Sequence, residues 1–565
     1  VKVSYNGGTP AIRDVSGNPA AAFANYQVTN TTTTVSPLYG SVSGRTVTIV
    51  FGQTLSSNYL PSTSQFAVLE NNSTKPILSV SVSGQNLVLE LGSDVSTGSV
   101  VTVSYQQPGT ASRRLQTTSG IQIPSFSGFV VSNYSSTVPV GPSGPYDYAP
   151  GGGISIRTSA ASTDSRMSAG GRAVLRYKLS ATTLSEAWQR ANASGVRRVL
   201  FTVPASQAGA NVELPVSALL EARNKYSDAV FAVSYSDVVY ELPLKAIDQQ
   251  TLSDWNSRYS QSVLLIEIDT GNATNTSRLR SAMSQRNYTV VAGPYAFTMT
   301  LMSGERSETL PKLSEYVTRT ITVPAAINTQ QHTVVWLDPE TGAIGHVPAV
   351  MTTAGNETIV TFRHNANAAY ALIRNVTSFT DVPANHWARN DIQLMTNRLI
   401  ALGRTNSTFA PNQPITRAEF AIYIVRGLGL EGSKRDASHF RDIPANSELA
   451  SYIGEAYKAG IISGVSSDKF DPDSPITREQ MASMMVRAAR AMGVEMLTTR
   501  TQAEILAPYK DAGSVSNWAK SDMAKAIEAQ IIKGLSATSL GPTRNATRAE
   551  AIVMIKRLLQ YLNLM

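Results

Sequence analysis

Apolar residues recur along this chain with two different periods. Up to about residue 376 they alternate with polar ones in short runs, as in TVTIVF (Thr46–Phe51) and LVLELG (residues 87–92), separated by Ser, Gly and Asn. A period of two with turn residues between the runs predicts half-buried strands. From residue 377 onward the apolar positions fall three and four apart, as in WARNDIQLMTNRLI (residues 387–400), which predicts amphipathic helices. The stretch 154–376 carries both signals. Helices are expected near residues 184–194 and over PVSALLEAR (residues 215–223), among strand-like runs such as RRVLFTV, AVFAVSY, SVLLIEI, YAFTMTL, TRTITV, TVVWLD and TIVTFR. The fold class predicted is multidomain: all-β modules, a β-rich α+β middle region and an all-α C-terminal bundle.

The opening strand VKVSY (residues 1–5) returns as VTVSY (Val101–Tyr105), and VTN (residues 28–30) is answered by VSN (residues 131–133). That period of about 100 residues suits an immunoglobulin-like β-sandwich. Residues 1–35 then form the C-terminal part of one copy and 36–134 a complete one. The string from VSYNGG to YQVTN resembles an Ig-like repeat of a cyanobacterial swimming-motility surface protein, a resemblance that implies a surface spacer. Residues 135–153 are dense in Pro and Gly (VPVGPSGPYDYAPGGG), which predicts an exposed linker. Residues 154–376 follow as the β-rich middle region. Its close, TVVWLDPETGAIGHVPAV and TIVTFRHNANAAYALIRN, resembles a non-catalytic β module found upstream of wall-binding repeats in Bacillota surface proteins.

The last third repeats itself three times, over 377–436, 437–504 and 505–565. Each copy carries an aromatic-x-Asp (Phe379/Asp381, Phe440/Asp442, Tyr509/Asp511), then a Gly (Gly403, Gly464, Gly534), then Thr-Arg (Thr416-Arg417, Thr477-Arg478, Thr547-Arg548). The Gly-to-Arg interval is 14 residues every time, and the Asp-to-Gly interval is 22, 22 and 23. A fixed period of this kind means one structural unit stacked on its siblings. Each Thr heads a Thr-x-x-Glu/Gln capping box, with Glu419, Gln480 and Glu550 at the third helical position. The Asp residues read as turn or cap residues, and the Gly residues as left-handed turn positions. The Arg has no capping duty, and its charge opposes the positive end of the helix dipole. It is therefore expected to serve as an anion site, a planar fork beside free helix-terminal amides, against the simpler alternative of pairing with a nearby Asp. Trp387 and Trp518 open the first helix in copies one and three, where copy two has Glu448 or Leu449. They are candidate sugar platforms, with plain inter-helix core the equal alternative.

Composition narrows the class. Only 16% of the 565 residues are charged and none is Cys, which suits Gram-positive surface proteins and leaves no thiolate or redox chemistry. The 48 basic and 40 acidic residues are spread without a polybasic block, so no nucleic-acid partner is expected. No apolar run approaches the ~20 residues a membrane-spanning helix needs, so no membrane insertion is expected either. The chain opens directly in a strand, without a signal peptide, which places its start inside a domain with further sequence upstream. The five His residues (His332, His346, His364, His386, His439) lack metal-ligand spacing, and neither HExxH, a phosphate loop nor GxSxG occurs. No catalytic residue, metal or cofactor is expected.

The triplicated register with TRAE-type motifs resembles the S-layer homology (SLH) family over residues 377–565. The resemblance implies a pseudo-threefold helical bundle with grooves between repeats. It also implies non-covalent binding of secondary cell-wall polysaccharide through a pyruvylated N-acetylmannosamine. On this reading Arg417, Arg478 and Arg548 meet the pyruvyl carboxylate, with Asp381, Asp442, Asp511, Trp387, Trp518, Gly403, Gly464 and Gly534 in supporting contacts. The expected function is that of an extracellular, wall-anchored S-layer or S-layer-like structural protein, with self-association in a surface lattice as a further partner reading. The alternative is the anchoring stalk of an exoenzyme or adhesin whose active part lies upstream.

Overall fold

The computed structural model describes residues 2–5, 23–27 and 35–565, except 97–98, 110–113, 119, 134–143, 151, 169–170, 260, 285–287, 338–343, 355 and 433–434. The chain forms two compact units, Val1–Ser143 and Gly144–Met565. In the first, Lys2–Tyr5 pairs antiparallel with Phe23–Gln27. The expected echo at 28–30 lies outside the described residues. The strands from Pro37–Ser43 to Phe126–Asn133 form an eight-stranded path. Phe126–Asn133 changes partner along its length, antiparallel to Val101–Tyr105 and then parallel to Pro37–Ser43. The alternation seen in sequence is the burial pattern: Val47, Ile49 and Phe51, with Leu87, Leu89 and Leu91, point into one core.

The second unit begins earlier than the linker expectation allows. Tyr146–Tyr148 is a strand paired with Ile154–Ile156, and Tyr146 is buried, so the C-terminal end of the Pro/Gly stretch belongs to the fold. Ile154–Ile156, Arg198–Val203 and Val230–Tyr235 run parallel. Parallel neighbours need a crossover, and the two expected helices, Ala181–Ala193 and Val216–Lys225, lie in the connections. Ser180 caps the first of these by accepting from the amide of Thr183, and Leu184, Ala187, Trp188 and Ala191 bury its inner face. Long antiparallel strands, Thr289–Ser303 and Lys312–Val323 among them, complete two large sheets around the core.

Residues 377–565 fold as three helix–loop–helix repeats around one apolar core. The first helices are Arg389–Asn397, Glu448–Lys458 and Lys520–Glu528, and the second are Arg417–Leu428, Arg478–Ala491 and Arg548–Tyr561. All three capping boxes form, at Thr416/Glu419, Thr477/Gln480 and Thr547/Glu550. Isolated bridges tie each loop to the next repeat in a closed cycle: Pro414 to Thr547, Thr416 to Pro475 and Thr477 to Asn545. Near residue 376 the architecture changes but the compact unit continues. Tyr316 donates to the carbonyl of Leu428 (3.0 Å), His364 Nε2 lies 3.0 Å from that of Gly429, and Arg398 donates to that of Ala349 (2.9 Å).

Candidate functional site

The repeated Asp residues hold a turn that lies far away in sequence. Asp381 accepts from the amides of Phe409 (2.8 Å) and Ala410 (2.6 Å), and Asp442 from those of Phe470 (2.9 Å) and Asp471 (2.7 Å). Asp511 does the same with Leu540 and Gly541, both at 2.8 Å. The second residue of each turn has positive φ: Ala410 59°, Asp471 63° and Gly541 58°. Burial pushes the Asp442 and Asp511 carboxyls up, but the amide donors outweigh it and hold both below the usual carboxylate range. The turn reading of the Asp residues is what the geometry displays.

The Gly residues need correction. Gly403, Gly464 and Gly534 are not among the positive-φ residues. Space decides there: a Cβ would strike the carbonyls of Thr405, Ser466 and Ser536 and lie against the rings of Phe379, Phe440 and Tyr509. The aromatic-x-Asp and the Gly are thus one device, a ring packed on bare backbone beside an anchored turn.

The Arg residues differ most from expectation. Arg417, Arg478 and Arg548 are only 8%, 2% and 1% exposed. Each reaches into the loop of the next repeat. Arg417 donates to the carbonyls of Phe470 (3.1 Å) and Ser463 (3.4 Å), and Arg478 to those of Leu540 (2.8 Å) and Lys533 (2.6 Å). Arg548 closes the ring on Phe409 (2.9 Å) and Leu402 (2.7 Å) of the first repeat. Arg417 and Arg548 also lie over the rings of Phe470 and Phe409, at 4.9 and 4.7 Å. The helix-terminal amides are not free either: Arg417, Arg478 and Arg548 donate their own N–H to Ser474, Arg544 and Gln413. A cation without a structural duty, beside vacant amides, is therefore corrected to an inter-repeat tie.

The three ties are not alike electrically. Arg548 pairs with Glu419 at 2.5 Å, and Arg478 lies 3.9 Å from Glu550. The corresponding partner of Arg417 is Gln480, which is neutral. Arg417 has no ion pair within 4.0 Å among the described residues, and no partner is found for its Nη1. Burial depresses its pKa, only partly offset by Asp471 and Asp442. Asp442 is already committed to backbone amides, and Asp471 lies 3.7 Å from Lys469.

A cavity of about 510 Å³ opens at Arg417, walled by Ser463 and Gly464, by Gln480, Met484 and Arg487, and by Trp518. It draws on all three repeats. Trp518 and Trp387 are 57% and 64% exposed, so inter-helix core is not their role. In copy two Leu449 packs on the core and Glu448 pairs with Arg426 at 3.2 Å. Sequence reasoning missed Arg487, whose Nη1 lies 3.1 Å from Ser463 Oγ. Its spacing from Gln480, seven residues along one helix face, carried the signal. Elsewhere the lone His364 is fully buried and satisfied by Tyr370 and Gly429. Among the described residues no group of three or more His, Asp and Glu side chains is placed to hold a metal.

With this geometry in hand, the likenesses to known proteins fall into place. Residues 378–421, 439–482 and 508–552 match the S-layer homology domain, and residues 28–110 match a repeat described as flagellar system-associated. The chain is 30% identical over 275 residues to an amylopullulanase of Thermoanaerobacterium thermosulfurigenes, covering 48% of this chain and 14% of that protein. It is 28% identical over 178 residues to S-layer protein EA1 of Bacillus anthracis, covering 32% of this chain and 20% of that protein. Among solved structures, the S-layer protein rSbsC(31-844) aligns with 60% of this chain and 51% of its own, at 12% identity and a TM-score of 0.17. The chain thus spans 14% and 20% of the length of the amylopullulanase and of S-layer protein EA1.

Proposed function

We propose that this chain, which carries three S-layer homology domains, is the wall-anchored part of an S-layer or S-layer-like cell-surface protein. The anchor is residues 377–565, read as a pseudo-threefold bundle because the Arg ties and the isolated bridges both run cyclically through the repeats. The β-units are read as spacers, the first of them an Ig-like sandwich. The ligand is a secondary cell-wall polysaccharide ending in a pyruvylated sugar. One observation carries this reading: a cavity joining a buried guanidinium (Arg417), a second cation (Arg487) and an exposed indole (Trp518). A carboxylate suits the cations, a sugar face suits the indole, and the hydroxyl of Ser463 with the amide of Gln480 suits ring substituents.

Cell-wall sacculi should retain the whole chain, and retention should fail when the secondary polymer is stripped chemically. Equal binding to bare peptidoglycan overturns the reading. A second reading keeps the anchor and changes the cargo: the likeness to an amylopullulanase supports an exoenzyme whose catalytic part is outside these residues. The complete gene sequence separates the two. Sheets assembled by the protein, seen by electron microscopy, support the structural role and its lattice.

A further inference from the structure

The first repeat of the bundle is finished by residues outside it. The last carbonyls of a helix have no partner within that helix, and the preceding β-rich part supplies partners at both helices of this repeat. At the end of Arg417–Leu428, Tyr316 donates to Leu428 and His364 Nε2 reaches the carbonyl of Gly429, both at 3.0 Å. At the end of Arg389–Asn397, Asn375 Nδ2 donates to the carbonyls of Thr396 (3.2 Å) and Asn397 (3.0 Å). Gly429 permits the approach: its φ is 68°, and a Cβ there would lie 2.4 Å from Pro348 Cδ. The sister repeats carry Arg490 and Gln560 at the corresponding place, and their helices run 14 residues instead of 12. Further polar contacts complete the joint. Arg398 donates to Ala349 (2.9 Å), Asn397 to Gln330 (2.9 Å), and Lys312 pairs with Glu431 at 3.0 Å. The main apolar cores stay separate, one drawn from Val382 to Leu564 and the other from Tyr146 to Leu372.

From this joint we infer an acid-released latch: neutral His364 and His346 hold the β-rich part on the first repeat, and their protonation frees it while both cores stay folded. The inference does not depend on what the bundle binds. His364 is fully buried between the rings of Trp336 (6.1 Å) and Tyr316 (6.4 Å). With its proton on Nε2 for Gly429, its Nδ1 faces the amide of Ala366 (3.3 Å) and the hydroxyl of Tyr370 (2.9 Å). Burial, then Arg319, hold its pKa down at about 3; Lys312 adds to this and the Gly429 carbonyl opposes it. His346 lies 3.1 Å from Thr333 Oγ1 and faces the backbone of Arg398. Burial, then Arg398 and His364, hold its pKa well below the ordinary value. Glu455 works the other way, since burial raises its pKa against the pull of Lys312. In the open joint both rings regain the ordinary value of 6.5, so the open state binds more protons than the closed one. Closure is therefore at full strength above pH ~6.5 and weakens about tenfold per histidine for each pH unit below it. The chain stays continuous through residues 374–377, so opening turns a rigid arm into a hinge.

The chain has no cysteine, so one introduced thiol reports opening where it is placed. Pro348→Cys sets it against Gly429, while Ala187→Cys and Ala551→Cys set it in the two cores. Each full-length variant is labelled with dithiodipyridine at pH 7.5 and 5.0, and its rate is divided by that of the exposed control Ser227→Cys at the same pH. The relative rate of P348C should rise about 30-fold per histidine released. Adding His364→Gln or His346→Gln, which do not titrate, should each cut the rise by about 30-fold, and the two together should abolish it. The core thiols should stay protected at both pH values. No rise in P348C overturns the inference, and so does an undiminished rise in the double Gln variant. A parallel rise at A187C or A551C also overturns it, because acid would then be unfolding a core rather than opening the joint.

Discussion

Arg319 in the β-rich part of the second unit and Arg417 in the helical bundle are both buried, and they show two uses of the same side chain. Arg319 is fully enclosed. Its guanidinium lies 4.8–4.9 Å from the rings of Tyr240, Phe297 and Tyr370 and donates to the carbonyls of His364 and Ala366. No ligand can reach it. Arg417 makes the same kinds of contact, carbonyls and one ring, but on one side only, and its other side lines an open cavity. Burial therefore says little about whether an arginine is structural. What decides is whether its surroundings close around it.

That contrast can be broken, beginning with the largest effect. Arg319→Ala should leave a void and remove the guanidinium donors from the carbonyls of His364 and Ala366, costing about 4 kcal/mol in the denaturant transition of the β-rich part. A loss below about 1 kcal/mol would mean that the cage does not depend on its cation.

Acid should weaken the same region. Burial, with Arg319 next in weight, pushes the His364 pKa down to about 3, and burial also lowers that of His346. Both lie below the ordinary value of 6.5, so protons favour the unfolded chain. Stability is complete above pH ~6.5 and falls as pH drops below it, by about 1.4 kcal/mol per histidine per pH unit. Urea midpoints at pH 7.5 and 5.5 should differ accordingly, and His364→Gln should flatten the dependence.

Within the bundle, Arg548→Ala should cost about 2–3 kcal/mol, since it removes two carbonyl bonds and the Glu419 pair. Arg417→Ala removes carbonyl bonds and a ring contact but no ion pair and should cost about 1–2 kcal/mol, while wall binding falls far more. Equal losses of stability and unequal losses of binding would show that Glu419 adds nothing to the tie. The smallest structural effect belongs to Trp518→Ala, about 0.5 kcal/mol or less for a side chain this exposed, yet retention on sacculi should drop. Unchanged retention would remove the indole from the site.

The helices, their starts and the repeat boundaries were legible because their causes are local. A capping box closes within four residues, and an amphipathic stripe repeats within one turn. The strands of the first unit were legible for the same reason, since side chains alternate residue by residue. The parallel pairing of Ile154–Ile156, Arg198–Val203 and Val230–Tyr235 was not, because partners 45 and 32 residues away leave no periodic trace. The site was half legible. The motif Arg, Trp and Gly positions stood out by repetition, but the role read for Gly403, Gly464 and Gly534 was conformational where the real constraint is a neighbouring carbonyl.

Sequence alone determined that one unit occurs three times, where its helices begin, and that Gln480 departs from its sisters without harming the cap. Tertiary structure alone decided what the arginines do, because each reaches a different repeat: Phe470 from Arg417, Leu540 from Arg478 and, closing the ring, Phe409 from Arg548. It also gave Trp518 of the third repeat to the cavity of the first. Hydrogen bonds within a turn are encoded where they form. Contacts across a closed ring exist only once all three repeats have packed, so the neutral Gln480 acquires its meaning from an arginine 63 positions earlier in the chain.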